Sequence, residues 1–191
     1  MAEDRNRKVA PVKDSIHQGL AEALRDHATL AQGLRRRRSE WRQTAVIHGD
    51  VRWDNAIVES GGGRERIVLV DWEFLDRGEA GWDVAGALAD AVSFEAMAAY
   101  DETEARAPTV SAEQLAALRG AVGPFVDTWA QAYRAAAPPE SGEADLQAGL
   151  RLLPARVLGI AFLHAAWGQE AGLGSALWLA AVATALMEEQ A

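Results

Sequence analysis

At 191 residues, 49% of them hydrophobic, the chain has the length and apolar content for one domain with a sizeable core, which excludes wholesale disorder. A formal net charge of −9 argues against nucleic acid or an anionic membrane surface as the main partner, and suits solubility or a cationic substrate. The absence of cysteine excludes disulfides, thiolate zinc sites and cysteine nucleophiles.

The N-terminus is polar, with no apolar stretch behind it, so no signal peptide is expected. The apolar run from Leu173 to Met187 is too short to cross a bilayer, and a cytoplasmic protein with no membrane partner is the expectation. Asp14 to Trp41 then has a helical pattern. Ile16, Leu20, Leu24, Leu30 and Leu34 recur near one face, and Asp14 or Ser15 stands where a cap belongs. Arg35 to Arg38 form a basic run that suits the negative end of that helix and water.

From Thr44 the period changes. Ala45–Ile47, Ala56–Val58 and Ile67–Val70 are short apolar runs that read as strands, and Ser60 to Gly63 between the last two reads as a hairpin turn. The glycine triplet is not a phosphate loop, because no Gly-Lys-Ser/Thr ending and no helix follows it. After Gly81 the pattern is helical: Trp82–Tyr100, Ala112–Ala136, Ala144–Glu170 and Ser175–Glu189. Pro154 interrupts the stripe Leu146, Leu150, Leu153, Val157 and Ile160, and is expected to kink or split that helix.

The chemistry concentrates in Val46 to Asn55. His48-Gly49-Asp50, with Asn55 five residues after the Asp, has the spacing of a kinase catalytic loop. Such a loop presents a carboxylate to the proton of an acceptor hydroxyl and an amide oxygen to magnesium. The apolar strand Ile67–Val70 ends in Asp71, where a second magnesium-binding carboxylate belongs. The rival reading makes Asp50 and Asn55 turn residues and Asp71 a strand-end turn.

His48-Gly49-Asp50 with Asn55, Val70-Asp71-Trp72-Glu73 and Gly81-Trp82-Asp83-Val84-Ala85 together resemble the aminoglycoside phosphotransferase/choline kinase family. The resemblance implies a mainly α (α+β) fold: the C-terminal lobe of a protein-kinase-like structure, with a small antiparallel β-hairpin carrying the catalytic loop. In it Asp50 is the base, and Asn55 and Asp71 hold magnesium and the nucleotide. His48 and Asp83 brace the loop by hydrogen bonds from behind. Arg52, Trp53 and Glu73 are candidate substrate contacts, although Trp53 also suits simple packing and Glu73 a surface ion pair. Gly49 stands where protein kinases place an activation-sensing arginine, which implies a small-molecule type of kinase.

The organisation expected is a helical segment over residues 1–43 packed on a C-lobe over 44–191, with loop and hairpin at 44–72 and helices over 81–190. Forty-seven residues precede His48 and show neither a glycine-rich loop nor a strand lysine, since Lys8 and Lys13 flank Pro11 in a polar segment. The nucleotide-binding lobe is therefore expected to be absent. The resemblance implies ATP (or another NTP) and Mg as cofactors, and transfer to a hydroxyl of a small molecule or peptide. A partner chain or homodimer is expected over the missing lobe's face, as in a split kinase; the alternative is a non-catalytic kinase-like binding or scaffold protein. Trp129, Trp167 and Trp178 are candidates for an aromatic cage around a cationic head group.

Overall fold

The computed structural model describes residues 20–22, 24–25, 27–61, 64–100, 109–167 and 171–190. Five long helices are described: α1 (Ala28–Glu40), α2 (Gly81–Ala98), α3 (Ala112–Ala136), α4 (Gly142–Trp167) and α5 (Ala171–Glu188). Between α1 and α2 come four short strands: β1 (Ala45–Ile47), β2 (Ala56–Gly61), β3 (Arg64–Leu69) and β4 (Asp76–Gly78). The fold is thus mainly helical with two small antiparallel sheets, β1–β4 and β2–β3.

The core lies where α2, α4 and α5 pack. Val84, Leu88 and Val92 of α2 meet Leu146, Leu153 and Val157 of α4 and Leu179, Val182 and Ala183 of α5, all buried. Helix α3 sits further out, with only Leu115 and Val122 fully buried. It starts on a capping box, in which the Ser111 hydroxyl accepts from the Gln114 N–H and the Gln114 side chain accepts from the Ser111 N–H.

The N-terminal helix differs from expectation. The Asp14–Trp41 pattern is not one helix: His27 caps α1 from outside, and residues 20–22 and 24–25 are helical ahead of it. The expected cap at Asp14 or Ser15 lies outside the described residues. Arg37 of the basic run is buried rather than solvated. Its Nε donates to the Arg151 carbonyl at 2.6 Å, it also bonds the Gly33 carbonyl and Gln190, and burial lowers its pKa.

Pro154 does not split its helix. A proline cannot donate to the carbonyl four residues back. Here the Leu150 carbonyl accepts instead from the Gln190 side chain at 2.9 Å, and the neighbouring Arg151 carbonyl is taken by Arg37. Gln190 thus supplies a donor in place of the one that proline removes, and α4 runs through. Contrary to the expectation that no stretch is long enough to span a bilayer, α4 is long and apolar enough to cross a membrane, with a mean hydropathy of 1.4 in an 18-residue window within Gly142–Ala166. Half of that stretch is buried against its neighbours, as suits a core helix.

The expected hairpin forms as β2–β3, and a second antiparallel pairing, β1–β4, stands beside it. Strand β1 pairs with β4, Ile47 opposite Asp76, while β2 pairs with β3, Ala56 opposite Leu69. Residues 48–55 cross from the first sheet to the second.

Candidate active site

Each end of the His48–Asn55 loop is tied to α2. The backbone N–H groups of His48 and Gly49 donate to the two oxygens of Asp83, at 2.7 and 3.0 Å. Two turns further along the same helix face, Asp90 accepts from the Trp53 N–H. Between them stands Gly86, where a Cβ would collide with the Val51 carbonyl oxygen. Positions 83, 86 and 90 share one stripe at helical spacing. The stripe is therefore a docking edge for a loop whose own backbone has no sheet partners.

Gly49 has φ of 86°, in the left-handed region where a side chain is strained, and a Cβ would also strike the Phe74 carbonyl. Its carbonyl accepts from Trp82 Nε1 at 2.9 Å. The turn this creates brings the loop back over the His48 ring. His48 is 2% exposed. Its Nδ1 accepts from the Asp50 N–H at 3.3 Å, which leaves Nε2 to donate to the Val70 carbonyl at 2.9 Å. One imidazole therefore links the backbone of Asp50 to the strand end that precedes Asp71.

Asn55, 6% exposed, closes the loop. Its Nδ2 donates to the Asp50 carbonyl at 2.9 Å and to Asp50 Oδ2 at 3.2 Å. Its backbone carbonyl accepts from the Val70 N–H at 2.9 Å. With both amide protons committed to Asp50, Oδ1 is the Asn55 atom left to coordinate a cation. Asp71 follows directly, exposed, with φ 64° and ψ 62°. Aspartate tolerates this left-handed region better than most residues, and such strain gathers at functional positions. Glu73 is exposed on the turn Trp72–Phe74, whose Trp72 ring lies 4.5 Å from that of His48.

The Asp50 carboxylate is flanked by two guanidinium groups. Arg52 Nε lies 3.5 Å from Oδ2, and Arg156 Nη2 of α4 lies 3.4 Å from Oδ1. Arg156 also reaches the Gly49 and Val51 carbonyls and stacks over the Trp82 ring at 4.8 Å. Burial pulls its pKa below the ordinary value, opposed by the charges of Asp50, Asp83 and Asp90. Burial likewise raises the pKa of Asp90, against the hydrogen bond from Trp53.

The structure thus brings together Asp50, Asn55, His48, Asp83 and Arg52, with Asp71 one residue beyond the bonded strand end. Sequence reasoning missed Gly86 and Asp90, although their spacing from Asp83 is a legible helical stripe. It also missed Arg156, whose only local signal is a lone charge within the apolar Leu152–Leu158. The proposed tryptophan cage does not form. Trp178 is buried, its Nε1 bonding the Ala96 carbonyl at 2.6 Å, and Trp129 stacks on Tyr133 with centroids 5.1 Å apart. The Trp167 side chain lies outside the described residues.

A loop built this way fixes one carboxylate, Asp50, between the Asn55 amide and two guanidinium groups. The model of the phosphotransferase enzyme family matches residues 2–125, about two-thirds of the chain, and the chain belongs to that family. No curated protein and no solved structure matches it.

Proposed function

We propose that the chain is the catalytic, kinase-like C-lobe of an ATP- and magnesium-dependent phosphotransferase acting on a hydroxyl. The observation that carries this reading is the His48 ring, which couples the Asp50 amide to the Val70 carbonyl beside Asp71. Turn residues without a common task have no need of a buried imidazole between them.

In the proposed reaction the acceptor oxygen bonds to the γ-phosphorus as the bond to the β,γ-bridging oxygen breaks. The nucleoside diphosphate leaves with that electron pair, and the hydroxyl proton passes to Asp50. Asp50 orients the hydroxyl, held by Asn55 and the two arginines. Catalysis of this type is positioning and charge neutralisation rather than strong base chemistry.

The donor chemistry of Asn55 Oδ1 and Asp71 fits magnesium, a hard ion that takes oxygen ligands and keeps several waters. Among the described residues no group of three or more His, Asp or Glu side chains is placed to hold a metal, which also suits an ion completed by phosphate oxygens. When bound with nucleotide, the ion would neutralise charge on the phosphates. No lysine stands among the described residues to assist it.

A partner polypeptide over the sheet side is part of this reading. Val46, Ile57, Val58, Ile67, Phe74 and Leu75 are all exposed on the two sheets and the turn between β3 and β4, and Val58 and Ile67 are cross-strand partners; exposed apolar surface marks interaction sites where it is contiguous. The test of the reading is Asp50→Asn. Phosphoryl transfer from ATP, by the chain alone or with its partner, should fall by about 10²–10⁴-fold. Circular dichroism should remain that of the wild type. Full transfer by a folded Asp50→Asn protein overturns the assignment.

A further inference from the structure

Helix α3 stands off the core along one side, and the gap is a cavity of about 350 Å³. Four helices wall it: Val92 of α2, Val126 of α3, Leu150 and Leu153 of α4, and Leu186 of α5. Small-molecule sites run from about 300 to 1,000 Å³ and combine apolar walls with a few polar groups, and this cavity is of that kind. None of its lining residues belongs to the loop 48–55 or to the stripe Asp83, Gly86 and Asp90. Phe125 of α3 does meet the loop, its ring centroid 5.8 Å from that of Trp53. Gly123, which lines the cavity, lies about 200° around the helix from Phe125, so the two face different sides.

Gly123 shows how the space is kept. A glycine inside a helix is destabilising relative to alanine, a cost that is offset where a neighbour needs the room. At Gly149 of α4 a neighbour does, since a Cβ would strike the Val84 side chain. At Gly123 a Cβ would meet nothing within 4 Å. Packing within the chain gives no reason for this glycine. A ligand held between α3 and the core does, because a large side chain at position 123 would take its place.

The rim says what the ligand carries. Arg119, Asp127, Glu189 and Gln190 line the cavity and are exposed. Three of them are committed. Arg119 and Glu189 form an ion pair from α3 to α5, and the Gln190 amide bonds Arg37 and the Leu150 carbonyl. Asp127 has neither a hydrogen bond nor an ion pair among the described residues. With Arg119 and Glu189 cancelling, the rim keeps one net negative charge.

We propose that this cavity binds a small hydrophobic cation, an aromatic or alicyclic body with one ammonium group. The body lies against Leu150, Leu153 and Leu186, and the ammonium meets Asp127. The proposal goes beyond the phosphotransferase reading and stands without it. Such a cation is a second ligand rather than the phosphoryl acceptor, because no residue around Asp50 lines the cavity. An anion would have to displace Glu189 from Arg119 and would sit beside Asp127.

The test uses the full chain and naphthylmethylamine, protonated at neutral pH, with the neutral naphthalenemethanol and the anionic naphthoate beside it. Calorimetry should give a Kd of about 100 μM for the amine. The alcohol should bind about fivefold more weakly, and naphthoate more weakly again. Gly123→Phe fills the cavity and should abolish binding of the amine, whereas Gly123→Ala, which adds no bulk, should bind as the wild type. Asp127→Asn should reduce the amine to the affinity of the alcohol and leave the alcohol unchanged. Should circular dichroism show that Gly123→Phe does not fold, Val126→Trp in the same wall must abolish binding instead. A wild-type chain that does not bind the amine, as when another segment of the chain fills the cavity, overturns the proposal. So does unchanged binding in a folded cavity-filling variant, which would place the amine elsewhere. Naphthoate bound as tightly as the amine, or a preference for the amine that survives Asp127→Asn, overturns it as well.

Discussion

Arg156 holds the Asp50 side of the site from a helix that contributes nothing else to the loop. Its guanidinium spans Asp50 Oδ1 and the carbonyls of Gly49 and Val51 while its face rests on Trp82. A planar fork can serve several acceptors at once, whereas an ammonium is a point charge. Removing Arg156 leaves Asp50 with one guanidinium partner, Arg52, instead of two, and takes a donor from the Gly49 and Val51 carbonyls. Arg156→Ala is therefore expected to cost about 1–3 kcal/mol of stability in urea unfolding. Arg156→Lys should recover only part of that, because the charge returns without the geometry. Equal stability of wild type and Arg156→Ala would mean that Arg52 and Asn55 alone hold the carboxylate.

At the scale of elements, α2 organises the loop through its stripe of Asp83, Gly86 and Asp90. Asp90 has a measurable signature, because burial raises its pKa above the ordinary aspartate value of about 3.9. A carboxyl whose native pKa is raised binds its proton more tightly in the native than in the unfolded state. Its contribution to stability is fully present below the unfolded pKa and is lost as pH rises through the native one. Asp90→Asn keeps an acceptor for the Trp53 N–H and removes the titration. The stability of the variant relative to wild type should therefore increase as pH rises from below 3.9 towards neutrality, then level off. Parallel curves for the two proteins across that range would show that Asp90 does not titrate in this way.

The same scale shows what could be read in advance. Helices α2 to α5 were legible because apolar periodicity and the breaks at Gly81, Pro138-Pro139 and Gly142 are local signals. The reading placed α3 at its observed bounds, Ala112–Ala136. Strand β4 was not legible. Asp76-Arg77-Gly78 has no strand pattern, and its pairing with β1 comes from a segment about thirty residues away. Pro154 misled because the donor that replaces its missing N–H comes from Gln190, 36 positions further along the chain. In the site, Asp83 came with the family resemblance, and His48, Asp50, Asn55 and Asp71 carried a spacing that chemistry explains. Arg156 did not, since 106 positions separate it from Asp50 and its contact exists only once α4 is packed.

For the whole molecule the decisive quantity is nucleotide affinity. A nucleoside triphosphate with magnesium needs groups that hold its phosphates, and in complete kinases a glycine-rich loop and a lysine do this from a second lobe. Among the described residues there is no lysine, Arg52 and Arg156 are engaged around Asp50, and the chain carries a net charge of −9. In the proposed magnesium site Asn55 and Asp71 would offer an ion two ligands, which gives little affinity until phosphates complete the shell. The apolar side chains of β1, β2, β3 and the β3–β4 turn meanwhile face water where a covering lobe would pack. Calorimetry on the purified chain with ATP and magnesium is therefore expected to give a Kd weaker than about 1 mM, a binding free energy of no more than about 4 kcal/mol. If a polypeptide covers the sheet side as proposed, its addition should tighten binding, because the nucleotide is then enclosed between two surfaces. Micromolar binding by a proven monomer would overturn this expectation. It would place the missing phosphate contacts within the 191 residues, and mutation of Lys8 and Lys13 would be the next measurement.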